Sequence, residues 1–227
     1  DGVSGGSASE SGSQSVTITI TENESAPTVT LTRSAASIAE NSGSTVTITA
    51  TLSIKVDEAV TVALSTSGAA TEGTDYGTIS DITVSAGATT GTATFDPTDD
   101  SVYEDDEAAT IAIDSVSGGG ASESGSQSVA VTITENESAP TVTLATSATS
   151  IAENAGSSLT LTATLSGATD QNVTVVLGTS GTATEGTDYT DGSGNVDDIT
   201  ITAGSTTGTV SFTPTDDSVY EGNETAI

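Results

Sequence analysis

The segment Gly5 to Leu31 recurs almost unchanged as Gly118 to Leu144, and this repetition constrains the fold more than any other feature of the chain. Ile38-Ala39-Glu40-Asn41 returns as Ile151 to Asn154, and Ala70 to Tyr76 returns as Ala183 to Tyr189, all at an offset of 113 residues. A four-residue insertion around Asp191-Gly192-Ser193-Gly194-Asn195 then raises the offset to 117, so that Pro97 to Glu104 matches Pro214 to Glu221. Tyr76, Phe95 and Tyr103 meet their counterparts at Tyr189, Phe212 and Tyr220. A repeat of this length is a structural unit, copied. Pro27 and Pro140 follow the same Glu-Ser-Ala stretch and mark the joints. Residues 1–25 then read as the last strand of a preceding repeat, 26–138 as a complete repeat, and 139–227 as a second repeat lacking its final strands. The chain contains no Met, so a segment excised from a longer protein is expected.

Within each unit the apolar residues alternate with Thr and Ser. Val46-Ile48-Ala50-Leu52, Val60-Val62-Leu64 and Val129-Val131-Ile133 are three such runs. Period-two alternation of β-branched residues describes a half-buried antiparallel strand. It also answers the composition, 33% hydrophobic and 3% aromatic, which taken alone resembles that of a disordered chain. The complete unit is expected to hold seven strands, near 28–32, 45–52, 58–65, 79–85, 90–96, 108–115 and 127–135. Turn signals at Asn41-Ser42-Gly43, Ser67-Gly68, Ala86-Gly87 and Gly118-Gly119-Gly120 separate them. No stretch shows helical period. Seven short strands in one unit predict an all-β fold, a two-sheet β-sandwich of immunoglobulin-like type.

Charge decides which chemistry is open. The chain has 32 acidic residues against two basic ones, Arg33 and Lys55, no His and no Cys, for a formal net charge of -30. Phosphate recognition needs clustered Lys and Arg, so nucleic acid is excluded as a partner and an anionic membrane surface disfavoured. Thiolate chemistry, disulfides and imidazole or thiolate metal sites are excluded as well. Carboxylates remain. They gather at Glu40, at Glu72 and Asp75, at Asp99, Asp100 and Glu104 to Glu107, and at Glu135 with Glu137. Loops of a sandwich emerge at one of two ends, so several of these can converge. Converging carboxylates repel unless a cation lies between them. An all-oxygen ligand set of six to eight groups at ~2.3–2.6 Å suits calcium, with magnesium second. The competing reading is a surface kept soluble by charge.

Gly-Thr-Asp-Tyr at 73–76 and 186–189, Asp-Asp followed by Tyr-Glu-x-x-Glu at 99–107 and 216–224, the Ser-Ile-Ala-Glu-Asn start and the Val-Thr-Ile-Thr-Glu exit form an ordered set. This set resembles the Calx-β domain of sodium–calcium exchangers, integrin β4 and long bacterial surface proteins. The resemblance implies tandem seven-stranded sandwiches binding Ca2+ at one end through loop carboxylates. Carried over position by position, the metal ligands are Glu40, Asp75, Asp99, Asp100, Glu104 and Glu135 in the complete unit, and Glu153, Asp188, Asp216, Asp217 and Glu221 in the second. Glu22 stands where Glu135 does in the preceding repeat. The exit Glu135-Asn136-Glu137 departs from the dense Asp run of calcium-sensing members, which implies fewer ions or weaker binding.

The function this implies is a calcium-binding structural segment of an extracellular rod, adhesin or surface filament, bacterial and non-enzymatic. Its partners would be neighbouring repeats or copies of itself in a head-to-tail filament, joined either by strand donation from residues 13–22 or, where 1–227 is a window on a longer continuous chain, by the same strand-to-unit junction made covalently. Alternatives are a calcium-sensing regulatory module of a membrane protein and a surface- or carbohydrate-recognition module. Other motifs add little. Sequons at Asn23, Asn136, Asn172 and Asn223 are expected by chance in a Ser/Thr-rich chain. The triple glycine at 118–120 precedes no helix or Lys and is no phosphate loop. The insertion at 191–195 lacks the closing Glu of a calcium loop and reads as a hairpin extension. No Ser or Thr has an activating base, and no aromatic platform for sugar is evident.

Overall fold

The strand-forming alternation appears directly in the computed structural model, which describes residues 2–192 and 194–227. The first unit contains β1 (Thr28–Arg33), β2 (Ser37–Ala39), β3 (Val46–Leu52), β4 (Val60–Gly68), β5 (Ile82–Val84), β6 (Thr90–Phe95), β7 (Val102–Tyr103), β8 (Glu107–Ser117), β9 (Ser122–Glu123) and β10 (Ser128–Thr134). The seven strands expected from the sequence are β1, β3, β4, β5, β6, β8 and β10. One sheet runs β6-β3-β1-β9 and the other β2-β10-β8-β4-β5. Neighbours are antiparallel except for two short parallel pairings, β1 with β9 and β2 with β10.

Alternation delivers one face of each strand to the space between the sheets. Val46, Ile48, Ala50 and Leu52 of β3, Val60 and Val62 of β4, and Ile111 and Ile113 of β8 are buried there. Burial of an aliphatic side chain contributes about 1.5–3 kcal/mol, so many small β-branched residues replace the aromatic anchors this chain lacks. The exception is Tyr76 stacked on Phe95, with ring centroids 4.6 Å apart. Gly91 of β6 fixes how closely the sheets approach at one edge. A Cβ there would lie 2.5 Å from the Thr83 carbonyl oxygen, and Gly208 stands in the same relation to Thr200, also at 2.5 Å.

The second unit contains β11 (Val142–Thr146), β12 (Leu159–Leu165), β13 (Ala168–Thr169), β14 (Val173–Val175), β15 (Tyr189–Thr190), β16 (Ile199–Ile201) and β17 (Thr207–Pro214). Strands β11-β12-β17-β15 form one sheet, β14 pairs with β16, and Ala226 bridges Gly181 as Ala109 pairs with Gly68. Tyr189 stacks on Phe212 as Tyr76 does on Phe95. Residues 225–227 take the place of the start of β8, and among the described residues none takes the place of β10. Val142 and Leu144 are 47% and 55% exposed, whereas their counterparts Val29 and Leu31 are at 0% and 6%. In the 191–195 insertion, Ser193 lies outside the described residues.

The two units touch through β7 and β13, which pair in parallel, Val102 with Ala168 and Tyr103 with Thr169. Asp170 N–H adds a bond to the Tyr103 carbonyl at 3.2 Å. Residues 13–22, expected as the last strand of a preceding repeat, form no ladder among the described residues. Their apolar side chains Val16, Ile18 and Ile20 are 87%, 84% and 95% exposed. Among the described residues no helix is long and apolar enough to cross a membrane.

Candidate metal centre

Four loop segments meet at one end of the first sandwich, each held by backbone hydrogen bonds. Glu40 opens a single 3-10 turn, Glu40–Ser42, which Gly43 ends in the left-handed conformation. Its side chain is buried, and Oε1 accepts the Asp100 N–H at 2.9 Å. Asp75 closes the turn before Tyr76: its Oδ2 accepts the Thr71 N–H at 2.5 Å, and its carbonyl accepts the Thr98 N–H at 2.9 Å. Asp100 Oδ1 caps the next turn by accepting the Val102 N–H at 2.6 Å. Glu135, just after β10, accepts the Glu104 N–H at Oε2 (2.5 Å), and at Oε1 those of Asn136 (2.6 Å) and Glu137 (2.7 Å).

These bonds bring carboxylates together in two groups, Glu40 with Glu135 and Glu137, and Asp75 with Glu104 and Glu107. Within each group one oxygen per residue lies within 4.8 Å of the others. A small cavity of about 10 Å³, lined among others by Glu40, Asp75, Glu104, Glu107 and Glu135, joins the two. Neither Arg33 nor Lys55 lines it.

The protonation equilibria show the resulting field. Burial, then the charges of Asp75, Asp100, Glu107 and Glu40, push the Glu104 carboxyl up to about 7. Burial and Asp75 push Glu107 up to about 7 as well, with a contribution from Asp170 across the joint. Glu40 is raised by burial and by Glu135, Asp100 and Asp99, against the bond from Asp100 N–H. Burial acts to raise Glu135, but the N–H groups of Glu137, Glu104 and Asn136 outweigh it and hold the carboxyl below its ordinary value. Glu137 shares a hydrogen bond with Glu135 that pushes it up to about 7. Its Oε2 is buried and has no hydrogen-bond partner.

The second unit repeats part of this. Glu153 Oε1 accepts the Asp217 N–H at 3.0 Å, and Asp217 Oδ1 accepts the Val219 N–H at 2.6 Å. Asp188, Glu221 and Glu224 form a three-carboxylate group like that of Asp75, Glu104 and Glu107. Of the residues carried over by resemblance, the structure groups Glu40 with Glu135, Asp75 with Glu104, and Asp188 with Glu221. Asp99, Asp100, Glu153, Asp216 and Asp217 fall outside the three-carboxylate groups. Asp99 and Asp100 nevertheless act on Glu40 through their charge. Glu22 is exposed, far along the chain from either cavity, and accepts the N–H groups of Asn23 and Glu24. Three group members carried no ligand assignment from the sequence: Glu107, Glu137 and Glu224. Glu107 and Glu137 stand in the acidic runs 104–107 and 135–137, and Glu224 is the 117-residue counterpart of Glu107.

The donor set fits a hard cation. Oxygens within 4.8 Å of each other can share an ion at ~2.3–2.6 Å, and the orphaned Glu137 Oε2 is a buried acceptor awaiting a positive partner. The class thus defined is an all-β sandwich with carboxylate groups at one end. The family model of the Calx-beta domain matches residues 135–226, and that of the LapA domain matches residues 25–136. No curated protein matches the chain. Among solved structures, the apo form of the Calx CBD1 domain aligns at 20% identity over 48% of this chain and 98% of its own, TM-score 0.41. CBD12 from CALX1.2 aligns at 21% identity over 81% of this chain and 73% of its own, TM-score 0.38. The calcium-binding domain CBD12 of CALX1.1 aligns at 20% identity over 77% and 70%, TM-score 0.40.

Proposed function

We propose that this chain is a calcium-binding structural segment of an extracellular, bacterial surface rod, in which the ion stiffens both the unit and its joint to the next. Bound calcium would supply positive charge between carboxylates that otherwise repel, held by Glu40, Glu135 and Glu137 and by Asp75, Glu104 and Glu107. One observation carries the reading: the segment that presents Glu104 and Glu107 also contains β7, which pairs with β13 of the next unit. Tyr103 and Glu104 are neighbours, so fixing the Glu104 carboxylate restrains the strand at the joint. Near-identical neighbouring units suit a spacer better than a unit with one dedicated partner. The match of the Calx-beta model and the acidic groups support calcium as the ion.

The natural chain has no Cys, so Ser85→Cys with Ser157→Cys, both at exposed positions, allows one dye on each unit. Single-molecule energy transfer is expected to show a distance distribution that narrows when calcium replaces a chelator. An unchanged distribution, together with no heat of calcium binding in titration calorimetry, contradicts the proposal.

A further inference from the structure

We infer that Asp170 of the second unit is a further ligand to the ion held by Asp75, Glu104 and Glu107 of the first, so that the site spans the joint and is complete only when two units are docked. The inference rests on the calcium reading above and names the residue through which the next unit enters the site. Its basis is the ladder at the joint. Val102 and Tyr103 of β7 pair in parallel with Ala168 and Thr169 of β13, and the Asp170 N–H continues the ladder by donating to the Tyr103 carbonyl at 3.2 Å. The next residues along the two strands are Glu104 and Asp170. Adjacent strands lie about 4.7–4.9 Å apart, and facing residues project to the same side, so the backbone sets Asp170 beside a member of the carboxylate group. Asp170 is not among the carboxylates within 4.8 Å of one another, so binding takes a turn of its side chain. That side chain is exposed, and its Oδ1 accepts the Thr169 hydroxyl at 3.4 Å, too long a bond to hold it against a cation. Its charge already reaches the group, opposing the ionisation of Glu107 across the joint.

The repeat keeps this residue while its surroundings change. Lys55-Val56-Asp57-Glu58 of the first unit stands where Ala168-Thr169-Asp170-Gln171 stands in the second, and the Asp alone is common to both. The loop is fixed the same way in each. The Val56 carbonyl accepts the Gly87 N–H at 2.7 Å, and the Thr169 carbonyl accepts the Gly204 N–H at 2.8 Å. Asp57 and Asp170 therefore occupy the same place on their units. Each unit carries a three-carboxylate group, Asp75 with Glu104 and Glu107 or Asp188 with Glu221 and Glu224, and on a separate loop a single Asp. The chemistry favours a fourth carboxylate. Calcium takes six to eight oxygens. Three carboxylates offer six at most, and one of these, Asp75 Oδ2, already accepts the Thr71 N–H. An ion held from both sides couples chelation to docking: calcium tightens the joint, and a docked joint raises the affinity for calcium by the same factor.

Titration calorimetry and single-molecule energy transfer on the 227-residue chain test this. The calcium-binding step of this site is the one that Glu104→Gln with Glu107→Gln removes. Asp170→Asn should weaken that step by about tenfold or more. It should also abolish the calcium-dependent narrowing between dyes at Ser85→Cys and Ser157→Cys. The substitution keeps the Asp170 N–H and changes only an exposed side chain, so both units stay folded and the backbone pairing at the joint is untouched. Asp57→Asn removes the same charge from the matching loop of the first unit and should change neither readout. An Asp170→Asn chain that binds and narrows as the intact chain does overturns this inference and leaves the calcium reading standing. So does an equal loss in Asp57→Asn, which would reduce the effect to general charge. An intact chain with no heat of calcium binding overturns both.

Discussion

In a chelator, raising the pH from about 5 to about 7.5 should weaken the first unit, and replacing the charges of Glu104 and Glu107 should abolish most of that loss. Both carboxyls move from an ordinary 4.5 to about 7 on folding, because burial and Asp75 disfavour their charged forms. An acid whose folded value is raised binds its proton more tightly in the native state. Stability from it is therefore fully present below about 4.5 and is lost as the pH climbs to about 7. At full weight each carboxyl would cost roughly 3 kcal/mol at neutral pH. Both remain reachable by water, so screening reduces each to about 1 kcal/mol. Two such groups in a unit of this size lower the melting temperature by roughly 8 °C. Calcium reverses the trend. The ion needs deprotonated ligands, so its stabilisation grows as the pH rises, reaching about 2.7 kcal/mol at a free concentration a hundredfold above Kd. The assay is thermal denaturation followed by circular dichroism, across pH, with chelator or with calcium. Glu104→Gln with Glu107→Gln should flatten the ion-free profile and remove the part of the calcium shift that the Asp75, Glu104 and Glu107 group supplies. An ion-free midpoint that is level or rises with pH refutes the reasoning. So does a double variant that keeps the slope, because the loss would then belong to the general charge of -30.

Three further outcomes follow from the same geometry. Gly91→Ala pushes a methyl into the Thr83 carbonyl, which as backbone cannot swing away, and should cost about 1–3 kcal/mol in urea denaturation. Phe95→Ala removes a fully buried ring and its stack on Tyr76, and should cost about 3–5 kcal/mol by the same measurement. Glu137→Gln should weaken calcium binding in titration calorimetry while leaving the chelated protein at least as stable, since it removes a charge that Glu135, Glu40 and Asp99 repel; a clear drop in chelated stability contradicts that reading.

The long strands were legible because burial on one face imposes alternation, as in Val46 to Leu52 and Val129 to Ile133. Four of the strands of two or three residues, β2, β7, β9 and β13, carry no apolar alternation to mark them. They arise only where two loops happen to run side by side, and β7 with β13 depends on how one unit meets the next. At the site, Glu40, Asp75, Glu104 and Glu135 could be named from ordered motifs. Their division into two groups could not, because it depends on which loops converge. Glu107 is the first residue of β8, where a polar residue also fits the alternation, so its second role is hidden. Glu137 is set into the site by its neighbour Glu135, whose Oε1 holds its N–H at 2.7 Å.

A crystal structure of the chain grown in calcium, with the anomalous signal recorded, tests the central claim most directly. The account predicts one ion within ~2.3–2.6 Å of the carboxylates of Asp75, Glu104 and Glu107. It predicts another bridging Glu40, Glu135 and the now-paired Oε2 of Glu137. Well-ordered carboxylates at that end of the first unit with no ion among them at saturating calcium would contradict it.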